Sequence, residues 1–102
     1  LRRRVSIREV RQEFASEQGI SEAEAAAQSL SPPTANFFTQ MRPYVTDEMA
    51  LPIDTKALFQ RWHDPYDAQS RLGGLELREL VELDENDQPV VSELGREALR
   101  YL

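Results

Sequence analysis

The apolar positions of this chain fall in short helical stripes, interrupted once by a stretch that reads as a hairpin. Val5, Ile7, Val10 and Phe14 are spaced for an amphipathic helix that ends near Gly19, a residue suited to a left-handed C-terminal cap. Ser21-Glu22-Ala23-Glu24 has the form of a capping box and opens a second helix through Ala25, Ala26 and Ala27 to Leu30. Ser31-Pro32-Pro33 then breaks the chain. A third helix is expected over 34–41 with Phe37, Phe38 and Met41 on its buried side, and Pro43 ends or bends it. Residues 46–53 read as a connector.

Asp54 is placed as the N-cap of a helix over 55–62 that packs Leu58, Phe59 and Trp62. Asp64-Pro65 is a second start signal, with proline at the first helical position and Asp67 in the first turn. That helix is expected to run to about residue 78 or 79, with Leu72 and Leu75 on one face. Leu80-Val81-Glu82-Leu83 predicts a short strand, Asp84-Glu85-Asn86-Asp87 a turn, and Gln88-Pro89-Val90-Val91 the returning strand. Ser92 caps a final helix over 93–101, with Leu94, Ala98 and Leu102 near one face.

Two helices joined by a tight turn and followed at once by a hairpin form the layout of a winged helix. Residues 70–82, Ser-Arg-Leu-Gly-Gly-Leu-Glu-Leu-Arg-Glu-Leu-Val-Glu, resemble the recognition helix and first wing strand of MarR-like and PadR-like bacterial regulators. Val91-Ser92-Glu93-Leu94-Gly95-Arg96-Glu97-Ala98-Leu99 resembles the stretch by which those proteins leave the wing. The resemblance covers about 54–102. It implies a mainly α winged helix-turn-helix with a two-stranded β-hairpin wing and extra N-terminal helices. We expect residues 1–102 to form a single domain, with 1–33 as a helical extension and 34–102 as the winged-helix core.

The function implied by the resemblance is that of a transcriptional regulator reading duplex DNA with the helix that starts at Pro65. Tyr66, Gln69, Ser70 and Arg71 would then face base edges in the major groove. Lys56 would hold a phosphate, with Arg42 and Arg61 as further candidates. The exposed stripe of Val5, Ile7, Val10 and Phe14 is more apolar than a small monomer needs, so it is expected to pack on the winged domain or on a second copy. A homodimer through the N-terminal helices follows from that expectation.

Charge alters the picture. The 102 residues carry a net charge of −6. Residues 1–33 balance five arginines against five glutamates, whereas 34–102 hold seven basic and thirteen acidic side chains. Most nonspecific affinity for a duplex comes from neutralising phosphates. Gly73-Gly74 occupies positions where the related regulators place basic side chains, Asp67 lies in the first helical turn, and the wing tip is acidic. These departures support a second reading, a winged helix that binds protein within a larger assembly. A glycine pair on a helix also permits close approach of another element.

Several classes are set aside. There is no cysteine, hence no disulfide framework or thiolate metal site. No apolar run nears the roughly 20 residues of a transmembrane helix, and Arg2-Arg3-Arg4 leads into no apolar stretch of the signal-peptide kind. A cytoplasmic protein is expected. The chain begins at Leu1, which suggests a fragment of something longer. Arg2-Arg3-Arg4 has the composition of a minor-groove arm or of a loose terminus. His63 reads as a cap or surface residue, and Asp84, Glu85 and Asp87 lack the spacing of a calcium loop. No nucleophile–base pair can be assembled, so neither an enzyme nor a cofactor is expected.

Overall fold

The computed structural model describes residues 6–102, and the sequence-based expectations for Arg2, Arg3, Arg4 and Val5 fall outside them. Six helices and one hairpin follow in the order α1 (Ile7–Gln18), α2 (Glu22–Ser29), α3 (Pro32–Thr39), α4 (Thr55–Arg61), α5 (Pro65–Leu77), β1 (Val81–Leu83), β2 (Pro89–Val91) and α6 (Glu93–Leu99). The chain is thus mainly α with one antiparallel hairpin, Val81 opposite Val91 and Leu83 opposite Pro89. A hairpin following helices in this way is compatible with a winged-helix arrangement.

Local chemistry explains most of the boundaries. Side-chain oxygens of Ser6, Ser21, Ser31, Asp54, Asp64 and Ser92 each accept from a backbone N–H in the first turn of the helix they precede. Each such cap contributes about 1 kcal/mol by satisfying an otherwise orphaned donor. Helix α3 starts two residues before the expected Thr34, because Pro32 and Pro33 occupy the first turn, where no backbone donor is needed. Pro43 sits in a single 3-10 turn, Arg42–Tyr44, that follows α3. Helix α6 stops at Leu99 and not at Tyr101, and the Arg42 guanidinium donates to the Leu99 and Leu102 carbonyls at 3.0 and 2.6 Å.

A single apolar cluster runs from α2 to α6. Ala23, Ala26 and Ala27 meet Phe37, Phe38, Met41, Ile53, Leu58, Trp62, Ala68, Leu72, Leu75, Leu80, Val81, Val91, Ala98 and Leu99. Leu72, Leu75, Leu80 and Val81 are buried together, as their spacing predicts. Trp62 stands edge-on to Phe37 with centroids 5.1 Å apart. The connector contributes more than its sequence suggested. Val45 bridges Ala50, and Ile53 N donates to Pro89 O at 2.8 Å, which lays the connector along the free edge of β2.

Helix α1 turns an unexpected side inward. Arg11 and Ala15 are its buried residues, while Ile7, Val10 and Phe14 are 42%, 55% and 42% exposed. The apolar stripe therefore does not close on the rest of the chain. Arg11 can be buried because each of its three side-chain nitrogens is engaged. Nε and Nη2 reach Glu22 Oε1 at 3.3 and 3.0 Å, and Nη1 donates to Arg78 O at 2.7 Å.

Candidate interaction surface

Helix α5 and the hairpin beside it hold the residues singled out by sequence. Ala68, Leu72 and Leu75 bury one face of α5. The opposite face, read off at helical spacing, is Tyr66, Gln69, Ser70, Gly73, Glu76 and Leu77, all exposed. Tyr66 is 85% exposed and Leu77 is 65% exposed. This outward face carries two apolar side chains, two neutral polar ones, a glycine and a carboxylate, and no cation.

Arg71 lies on the flank of α5. Its Nε donates to Asp67 Oδ2 at 3.2 Å and its Nη1 to Thr34 Oγ1 at 2.9 Å, so the guanidinium is directed back at α3. Arg78 is likewise turned inward, with Nη1 donating to Gly74 O at 3.0 Å. Lys56 and Arg61 are exposed on α4, and among the described residues their side chains make no hydrogen bond or ion pair. Arg42 is committed to the end of α6. The structure thus brings Tyr66, Gln69 and Ser70 onto one face but leaves Arg71 out of it.

The tip of the hairpin is built by its own acidic residue. Asp84 Oδ1 accepts from Asn86 N at 2.8 Å and from Gln88 N at 2.9 Å, and Asp87 closes the turn with a positive φ of 59°. Asp84 is therefore a turn-former, while Glu85 and Asp87 remain exposed at the tip. Between the end of α5, β1 and the start of α6 lies a cleft of about 710 Å³. Its walls include Glu76, Glu79, Glu82, Glu93 and Glu97, with Arg8 at one side. Arg8 reaches Glu22 at 3.6 Å and Glu79 at 4.0 Å, both long contacts from an exposed arginine that contribute little.

Glu76 and Leu77 were missed at the level of sequence, although the helical period that selects Tyr66, Gln69 and Gly73 extends to both. The five-glutamate cleft was not legible, because three separate elements contribute to it. The glycine pair serves no close approach: a Cβ on Gly73 would meet nothing within 4 Å, and one on Gly74 only Arg78 Nη1 at 3.3 Å. The close approach is at Gly95 instead, against the Leu80 carbonyl and Val91. Among the described residues no cluster of histidine and carboxylate side chains is placed to hold a metal ion. Among the described residues no helix is long and apolar enough to cross a membrane. Comparison with protein-family models, curated proteins and solved structures finds no match to this chain.

Proposed function

We propose that the chain is a winged-helix module that binds protein. The observation that carries this reading is the outward face of α5, which has no cation and adjoins an acidic cleft. A phosphate backbone approaching that face would meet carboxylates, at a coulombic cost that a few distant arginines do not offset. A protein partner would instead meet Tyr66 and Leu77, the large side chains that anchor interfaces once desolvated.

Fluorescence anisotropy with random duplex DNA at low salt tests the reading. The expected result is a flat titration. Saturable binding that weakens with salt, with a log–log slope of about −2 or steeper, would overturn it in favour of DNA. The DNA reading has its own support, since Tyr66, Gln69, Ser70 and Lys56 are exposed. In that case Gln69 and Ser70 would read bases and Lys56 would hold a phosphate.

A second copy of this chain is one partner the reading includes. Ile7, Val10 and Phe14 form an exposed stripe, and the same three residues line a groove of about 540 Å³ with Arg11, Ala25, Gln28, Ser29 and Arg78. The same apolar face on two copies would meet across a two-fold axis, the self-contact that an isologous interface requires. Sedimentation equilibrium is expected to show a concentration-dependent dimer that Val10→Glu abolishes. A monomer across the micromolar range would remove α1 from the interface.

A further inference from the structure

Three arginines that form no ion pair among the described residues lie together at one place in this acidic protein. Arg42, Arg96 and Arg100 line a cleft of about 380 Å³ between the 3-10 turn and α6, with Val45 and Leu99 as its apolar wall. No carboxylate lines that cleft. Arg42 is held in position by its hydrogen bonds to the Leu99 and Leu102 carbonyls. Arg96 is partly buried, and its Nε is fully buried with no hydrogen-bond partner. Arg100 is exposed. Asp47, Glu93 and Glu97 border the adjoining cleft, yet among the described residues none forms an ion pair with Arg96 or Arg100.

Three guanidiniums converging in this way repel one another, and a buried donor without a partner is costly. Placing two of them in the last turns of α6 complements the helix dipole, but that effect accounts for neither Arg42 beside them nor the orphaned Nε. An oxyanion accounts for the gathering of Arg42, Arg96 and Arg100 in one cleft. It would accept from Arg96 and Arg100, relieve the repulsion, and lie against Val45 and Leu99, where reduced solvent strengthens each charge-assisted bond.

We infer that the Arg42–Arg96–Arg100 cleft is a binding site for an oxyanion of the phosphate class. Three positive charges suit a dianion better than a single carboxylate, and the planar guanidinium fork matches the spacing of phosphate oxygens. The site does not depend on what α5 binds. The ligand is either free inorganic phosphate or a phosphorylated side chain, since both present the same group.

The whole chain, labelled with ¹⁵N, is titrated with inorganic phosphate at constant ionic strength while the arginine Nε–H resonances are followed. The Arg96 and Arg100 signals are expected to move and saturate, with half-saturation on the order of 1 mM. Arg100→Gln, at an exposed position, is expected to weaken binding about tenfold and leave the amide spectrum otherwise intact. Arg61→Gln on α4 is expected to change nothing. Comparing inorganic phosphate with O-phosphoserine separates the sources: tighter binding of the monoester identifies a phosphorylated side chain, and tighter binding of the inorganic ion a free ligand. Shifts that stay linear, shifts of equal size at Arg61, or acetate binding as tightly as phosphate would each overturn the assignment.

Discussion

Trp62 Nε1 donates to Asp67 Oδ2 at 2.7 Å, across the turn between α4 and α5. The same oxygen accepts from Arg71 Nε at 3.2 Å, and His63 Nε2 lies 3.9 Å away. The Trp62 bond, followed by the Arg71 bond and charge, holds the Asp67 carboxyl below its ordinary value of 3.8, with partial desolvation opposing. A carboxyl with a depressed folded-state pKa contributes stability that is present above the ordinary value and is lost as pH falls through the folded value. Unfolding followed by circular dichroism is therefore expected to show a loss of stability below pH 3.8 that Asp67→Asn lacks. In Trp62→Phe the Asp67 titration, read from its side-chain carbon resonance, is expected to move back up. An unchanged titration would show that the Trp62 bond does not set it.

Arg71 is expected to act on stability before it acts on any ligand. Its bond to Thr34 Oγ1 ties α5 to α3, and Thr34 is buried. Arg71→Ala leaves that hydroxyl with only its partner Ser31, and is expected to cost about 1 kcal/mol from the lost Thr34 bond, read as a lower urea midpoint. If the midpoint is unchanged and duplex binding is lost instead, Arg71 faces DNA in solution.

The glycines of α5 and α6 are expected to respond in opposite directions to alanine. A Cβ on Gly95 would collide with the Leu80 carbonyl and come within 2.8 Å of Val91 Cγ1. That backbone atom cannot retreat, because Leu80 O accepts from Ser92 N at 3.0 Å. Gly95→Ala is expected to cost about 3 kcal/mol or more, or to prevent folding. Gly73→Ala meets open space on an exposed helical face and is expected to stabilise by about 0.5–1 kcal/mol. Thermal melts of the two variants check both signs.

Helix α5 ends on a residue that has no intrinsic liking for its conformation. Glu79 has a φ of 61°, with its N–H donating to Glu76 O and the following Leu80 N–H to Leu75 O, each at 3.0 Å. Glycine fills the equivalent place after α1, where Gly19 has a φ of 69°. Glu79→Gly relieves the left-handed strain and is expected to stabilise by about 1 kcal/mol in urea unfolding. Ser92 Oγ, which donates to Glu79 O at 2.7 Å, helps to hold the strained residue in place. Ser92→Ala is accordingly expected to destabilise by about 1–2 kcal/mol, since it also removes the cap of α6.

Much of the fold was legible from short-range chemistry. A serine or aspartate before a helix, a proline in its first turn and leucines three apart act within one or two turns, so Ser21, Asp54, Asp64, Ser92, Leu72 and Leu75 could be placed without knowing their neighbours. The hairpin at 81–91 was legible for the same reason. The candidate surface was legible only in part: Tyr66, Gln69 and Ser70 share a face by helical period alone, whereas the turning of Arg71 towards Thr34 depends on a residue 37 positions away.

What the sequence determined by itself was therefore the set of elements, their caps and their apolar faces. Tertiary structure decided where the long charged side chains end up. An arginine reaches several ångströms from its backbone and takes whichever acceptor lies within that radius, so its role is set by packing. Arg11 was drawn into the protein by Glu22 and the Arg78 carbonyl while the apolar stripe beside it stayed in solvent. Arg42 was brought to the end of α6, 57 residues along the chain, and there joins Arg96 and Arg100. No periodicity encodes either outcome, because each pairs groups that become neighbours only once the core has closed.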